Sequence, residues 1–299
     1  MNRNWQGPIR CAVRPAPDFR ETRGDACPRP PSPVKAHPHM AESRPLILIP
    51  TYNTGPILRD TVASVLALGL PLWIVVDGST DGSPGLLKDL PTSAAADFRI
   101  LELEQNAGKG SAVLHGLRAA LEAGYTHVLT MDADGQHPAA QVPEFFRLSA
   151  AHPEAAIFGR PVFDASAPAI RVNGRKISNF WANLETLGWG IDDSLFGMRL
   201  YPAADLLEVM DSTAFARRFD FDPEVAVRLA WRGVPILNLP TPVRYPSKEE
   251  GGISQFRYLR DNTLLTWMHS RLFAGFFLRL PLLVARGSNP LEHLNPPSA

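Results

Sequence analysis

His127-Val128-Leu129-Thr130-Met131-Asp132-Ala133-Asp134-Gly135-Gln136-His137-Pro138 reads as a buried strand that runs out into two carboxylates. His127 to Met131 has the length and apolar content of a strand. Asp132 and Asp134 follow it one residue apart, Gly135 allows a sharp turn, and Gln136 or His137 stands where a ligand shell would be completed. Two carboxylates at that spacing reach one hard cation, Mg²⁺ or Mn²⁺, which takes oxygen ligands and keeps positions open for phosphate oxygens. The plainer reading of the same residues is an acidic turn capping a helix that starts at Pro138.

Upstream, the pattern alternates. Leu46 to Ile49 is a short apolar run stopped by Pro50, and Ile57, Leu58, Val62, Val65 and Leu66 follow at helix spacing. Leu72 to Val76 and Phe98 to Leu103 read as two more strands. Residues 110–123 read as an amphipathic helix through Val113, Leu114, Leu117, Ala120 and Leu121. Strands alternating with helices predict an α/β fold of right-handed βαβ units around a mainly parallel sheet flanked by helices. Ligands of such sheets bind outside the carboxyl ends of the strands.

Every unusual polar cluster of this half falls at one of those ends. Pro50-Thr51-Tyr52-Asn53 offers Thr and Asn to a ribose or base and a flat tyrosine face; as a plain loop, Asn53 is a turn residue. In Asp77-Gly78-Ser79-Thr80-Asp81-Gly82, Asp77 can accept hydrogen bonds from a nucleoside, or the segment is a capped helix start. Asn106-Ala107-Gly108-Lys109-Gly110 puts a cation at a helix N-terminus, suited to phosphate. It is no Walker loop, because the earlier glycine is missing and Gly110 follows the lysine.

Composition narrows the field. Thirty basic side chains balance thirty acidic ones over 299 residues, which argues against a whole-chain nucleic-acid binder. The zero conceals a pattern: +4 in residues 1–39, −7 in residues 40–243 and +3 in residues 244–299. Both cysteines, Cys11 and Cys27, and eight of the 29 prolines lie in the first 39 residues. Residues 1–42 are therefore expected to be a disordered Pro/Arg-rich tail, without a stretch of signal-peptide length. Alternatively, translation starts at Met40 and the preceding residues are a gene-model extension. A body without cysteine fits a cytoplasmic protein.

In this order, P-T-Y-N (Pro50–Asn53), D-G-S-T-D-G (Asp77–Gly82), N-A-G-K-G (Asn106–Gly110) and D-A-D-G-Q-H-P (Asp132–Pro138) resemble the family 2 glycosyltransferases of the GT-A fold. The resemblance runs from about Leu46 to Phe256 and is nearest to the polyprenyl-phosphate branch, similar to dolichyl-phosphate-mannose synthases. It implies a Rossmann-like nucleotide-diphospho-sugar transferase domain over residues 43–256, followed by a C-terminal helical segment and tail, 257–299. It further implies inverting transfer from a UDP- or GDP-sugar to a lipid-phosphate or glycolipid acceptor of the cell envelope. By that resemblance Pro50, Tyr52, Asn53, Asp77, Ser79, Lys109 and Asp132 hold the nucleotide sugar. Asp132, Asp134 and Gln136 hold Mg²⁺ or Mn²⁺ in a DXD motif. Arg160, Arg175, Lys176 and Ser178 cradle the acceptor phosphate, and Asp134, Arg175, Arg199 and Glu224 carry the catalysis.

An acceptor phosphate is already an anionic nucleophile and needs no general base. A hydroxyl acceptor needs one, with Glu224 or Asp222 as candidates. Asp222 also reads as an N-cap, with Pro223 at the first helical position. Two stretches depart from the family. Val76-Asp77 supplies one acid where the family has two, and Asp193-Ser194-Leu195-Phe196-Gly197-Met198-Arg199 stands where it reads D-x-x-S-G-F-R.

Leu264 to Ala285 is apolar-rich, but His269, Arg271, Arg279 and Pro281 interrupt it, so no ~20-residue transmembrane run is expected. Leu272 to Leu278 instead suits peripheral contact at the inner face of the cytoplasmic membrane, or packing on the core. Lys248 to Gly252 reads as a loop that closes over the nucleotide. A nucleotidyltransferase or a dehydrogenase is disfavoured, because Thr51-Tyr52-Asn53 stands where their glycine-rich loops belong. A degenerate transferase that binds a nucleotide sugar without turnover is the non-enzymatic alternative.

Overall fold

The computed structural model describes residues 43–91, 97–163, 169–244 and 258–296. The expected disordered tail and the expected closing loop Lys248–Gly252 lie outside the described residues.

Seven strands form one sheet in the order β3-β2-β1-β4-β6-β5-β7. They are β1 (Pro45–Thr51), β2 (Leu72–Asp77), β3 (Phe98–Leu103), β4 (His127–Thr130), β5 (Ala156–Val162), β6 (Arg199–Pro202) and β7 (Ile236–Pro242). β6 runs antiparallel to both its neighbours, and the remaining pairs are parallel. The helices are α1 (Ile57–Leu66), α2 (Lys109–Glu122), α3 (Val142–Ala151), α4 (Ala169–Thr186), α5 (Ala203–Asp211), α6 (Phe221–Trp231) and α7 (Tyr258–Arg286).

The period of two along the strands divides the core between the faces of the sheet. Leu46, Leu48, Trp73 and Val75 pack with Val113 and Leu117 of α2. Ile47, Ile49, Leu72 and Ile74 pack with Leu58, Val62 and Val65 of α1. Both helices therefore follow their strands onto opposite sides and leave the loops after β1, β2 and β4 gathered at one edge.

Pro50 does not end β1 as its sequence suggests; it pairs in register with Val75 of β2. The amide of Ile47 faces the β2 side, donating to Pro71 O at 3.0 Å, so that of residue 50 would face β4. The β1–β4 register ends at Leu48, and the missing N–H costs no ladder bond.

α7 also departs from expectation. Arg260–Arg286 is long and apolar enough to cross a membrane by length and composition, and the helix continues through Pro281. The residues that interrupt its sequence turn inward. His269 meets Glu185 on α4, Arg271 meets Glu224 on α6, and Arg279 lies over the Trp231 ring at 4.5 Å. Met268, Leu272, Phe276 and Leu283 are buried, whereas Trp267, Phe277, Leu278, Leu282 and Val284 form an exposed apolar face.

Candidate functional site

A cavity of about 930 Å³ opens at the carboxyl edge of the sheet, between the strand-end loops and helices α4 and α7. Pro50, Tyr52, Asp77, Lys109, Asp132, Asp134 and Gln136 line one end. Arg175, Ser178 and Trp181 of α4 and Leu265, His269 and Phe273 of α7 line the helical side, with Arg175 near enough to Asp132 to favour its charged form. The two ends differ in chemistry, one acidic and polar, the other carrying apolar walls.

Lys109, the first residue of α2, joins the acidic end together. Its Nζ lies 2.7 Å from Asp132 Oδ1 and 2.6 Å from Asp222 Oδ2. Burial opposes the charge on Lys109, but the two carboxylates outweigh it and hold the ammonium above its ordinary pKa. Burial likewise opposes the charge on Asp132, and Lys109 holds that carboxyl below the usual range. Asp134 forms no ion pair among the described residues, and Lys109 acts on it only at a distance. Burial, then the neighbouring charge of Asp132, push its carboxyl up to about 7. His137 accepts the Asp132 amide N–H at its Nδ1 (3.1 Å), and burial pushes its imidazole down to about 4, so it serves as a neutral strut.

The carboxylate pair fits a divalent cation. Asp134 is held in its protonated form up to about pH 7, so that a cation beside it would favour its charged form, and the wall beside Asp132 is Gly197, where any Cβ would collide with Asp132 Oδ2. Among the described residues no group of three acidic, His or Cys side chains surrounds one point, so a cation here would take its remaining oxygens from ligand and water. Gln136 lines the cavity, and its amide donates to Asp134 Oδ1 at 3.1 Å.

Other expected binding residues build the loops. Asp77 accepts from Asn106 Nδ2 and from the amides of Ala107 and Gly108, each at 2.8 Å. One acid thus orders the whole turn before Lys109, while Val76, at the position of the family's other acid, packs in the core. The Thr80 amide donates to Asn53 Oδ1 at 2.8 Å, and the Asn53 amide donates to Ser79 Oγ at 3.1 Å. Asn53 and Ser79 clasp the first two loops together and do not line the cavity.

The expected acceptor and catalytic residues separate. Arg175 and Ser178 reach the cavity; Arg160 pairs with Asp192 (3.3 Å) and Lys176 is exposed, and neither lines it. Arg175 also pairs with Asp193 at 2.8 Å. Arg199 is fully buried, donating to the carbonyls of Asp222 (2.6 Å) and Asp193 (2.9 Å) over the Phe158 ring. It therefore holds the wall of the site from behind. Glu224 is not at the cavity. Its carboxylate is fully buried against Arg228 (2.8 Å) and Arg271 (2.9 Å), which leaves it no path to a substrate proton. Asp222 lies inside α6 rather than capping it, because Asp220 holds the preceding turn through the amides of Ala216 and Arg218.

The altered stretch before β6 is accommodated within the chain. Phe196 is buried edge-on against His137, with ring centres 4.6 Å apart, and Gly159 provides the room, since a Cβ there would strike the Phe196 ring. Arg218, Trp181 and His269 are among the cavity residues that the sequence does not single out. Arg218 carries a signal, a cation beside the α6 start. His269 carries none, standing in an apolar run.

The sequence model of the family described as Glycosyl transferase family 2 matches residues 46–208. A polyprenol monophosphomannose synthase of Mycolicibacterium smegmatis is 28% identical over 214 residues, 70% of this chain and 79% of that protein. An undecaprenyl-phosphate mannosyltransferase of Micrococcus luteus is 29% identical over 217 residues, 66% and 82% of the two chains. Among solved structures, a mannosyltransferase from Pyrobaculum calidifontis in complex with GDP-Man and Mn²⁺ aligns with a TM-score of 0.50 and 18% identity, over 88% of this chain and 81% of that one. The fold is that of the GT-A glycosyltransferases.

Proposed function

The chain belongs to glycosyl transferase family 2 and is a glycosyltransferase, and from that premise we propose that it moves a sugar from a nucleotide sugar to a polyprenyl phosphate, with inversion. The observation that carries this reading is the two-ended cavity, with Asp132, Asp134 and Lys109 at one end and Arg175, Ser178, Trp181, Leu265 and Phe273 at the other. Relatives named for polyprenol-phosphate mannosyl transfer support the acceptor class.

Asp132 and Asp134 would hold a divalent cation, Mg²⁺ or Mn²⁺, which would supply Lewis-acid stabilisation of the departing nucleoside diphosphate. Lys109 and Arg218 present positive charge to the same diphosphate. Arg175 neutralises and orients the acceptor phosphate, and Trp181, Leu265 and Phe273 receive the first isoprene units. The acceptor oxygen is anionic and attacks the anomeric carbon without losing a proton. The rest of the lipid stays in the membrane, met by the outward faces of α4 and α7, where Ile177, Phe180, Phe277 and Leu278 are exposed.

The test screens UDP- and GDP-sugars for Mn²⁺-dependent thermal stabilisation and offers the best one with geranyl phosphate. Formation of a glycosyl phosphate lipid is the expected result. Binding without transfer to any prenyl phosphate would mark a nucleotide-sugar binder instead.

A further inference from the structure

Behind the apolar end of the cavity, three polar side chains from two helices stand in line. Ser178 Oγ lies 3.0 Å from His269 Nε2, and His269 Nδ1 lies 3.1 and 3.2 Å from the two oxygens of Glu185. Ser178 and His269 line the cavity, and Glu185 is fully buried beneath them. The hydrogen bonding has one consistent direction. An ionised Glu185 takes the Nδ1 proton of His269, which leaves Nε2 to accept from Ser178 Oγ; Ser194 Oγ lies 2.9 Å from Ser178 Oγ and has Asn179 Oδ1 as an acceptor for its one proton at 2.8 Å. A serine whose proton is held by a histidine, itself oriented by a carboxylate, is an arrangement that accepts protons.

Burial and, more weakly, the charge of Glu224 on α6 raise the Glu185 carboxyl, and the bond to His269 opposes them. Arg175, one turn before Ser178, pairs with Asp193. Glu224 of α6 pairs with Arg228 and with Arg271, two residues after His269. Of the two acids weighed as bases, Glu224 is engaged by those arginines and Asp222 by Lys109. A phosphate acceptor has no use for a base.

We propose that Ser178, His269 and Glu185 form a proton relay that lets the same cavity glycosylate a hydroxyl acceptor on an apolar stem, such as a prenyl alcohol. The acceptor O–H gives its proton to Ser178 Oγ as the Ser178 proton passes to His269 Nε2. The freed oxygen bonds to the anomeric carbon, and the bond from that carbon to the diphosphate breaks, its electron pair leaving with the diphosphate. Glu185 stabilises the imidazolium until its proton returns to solvent. Ser178 meets the acceptor, His269 holds the proton, and Glu185 is a positioning residue. The inference rests on the nucleotide-sugar half of the proposed function and not on its acceptor.

The experiment compares geraniol with geranyl phosphate as acceptors, using the nucleotide sugar selected by the screen, in wild type and Glu185→Gln. Wild type should glycosylate both, and Glu185→Gln should lower the ratio of kcat with geraniol to kcat with geranyl phosphate by on the order of 100-fold. His269→Gln reads the same ratio should Glu185→Gln fail to fold. A parallel loss on both acceptors, with the ratio within about threefold, would show a packing role and overturn the relay, as would a wild type that uses geranyl phosphate and ignores geraniol. Transfer to geraniol alone would uphold the relay and remove the phosphate acceptor, while transfer to neither would remove both.

Discussion

The two ends of the cavity handle buried charge in opposite ways. At the strand-end side, Lys109 is shared between Asp132 and Asp222, and Asp134 is left with a carboxyl pushed up to about 7. At the helical side the acids shown have internal partners: Glu224 with two arginines, Asp193 with Arg175, Glu185 with His269. A site left short of positive charge is prepared for a cation. One that is internally balanced holds its shape, and there a single lost partner costs stability before it costs chemistry.

The largest effects should come from the first side. Asp132→Asn and Asp134→Asn should each lower kcat by on the order of 10²–10³-fold in steady-state assays with Mn²⁺, with unfolding midpoints near wild type. Full activity in either would erase the contrast.

On the second side, Glu224→Ala should cost about 3–5 kcal/mol in urea unfolding, because Arg228 and Arg271 then lose their buried partner. Glu224→Gln should keep the kcat of the folded protein within a few fold. A loss of 10²-fold or more there would restore Glu224 as a base.

Gly197→Ala sharpens the comparison, since its methyl group displaces Asp132 from the cation side. It should weaken Mn²⁺ binding by calorimetry about tenfold, roughly 1.4 kcal/mol, while nucleotide-sugar binding changes less.

The smallest effect is set by pH. The folded pKa of Asp134 is raised above its unfolded value, so its contribution to stability is present below about pH 4 and is lost as pH rises through about 7. Mn²⁺ competes with that proton, so its stabilising effect should grow between pH 6 and pH 8 in thermal unfolding. Asp134→Asn should flatten that trend.

The same division explains what the sequence disclosed. Asp132 and Asp134, and the loops holding Asp77 and Lys109, were legible because strand-end chemistry is local: a buried strand stops, a turn begins, and polar residues there face one edge. Strands β1 and β2 were legible as short apolar runs. The helical side depends on partners far apart in the chain. His269 finds Glu185 across 84 positions, and Arg271 finds Glu224 across 47. No local pattern announces such pairs, so Glu224 read as a candidate base and His269 as an interruption in an apolar run. In α7 the residues that break its hydropathy are those that turn inward, which only their distant partners reveal.

One measurement bears most directly on the central claim: transfer of labelled sugar from the screened nucleotide sugar to geranyl phosphate, with Mn²⁺ and after chelation, in wild type and Asp134→Asn. The account predicts a glycosyl phosphate product that requires the metal and falls by two orders of magnitude or more in the variant. Equal product in the chelated wild type, or in Asp134→Asn, would contradict it.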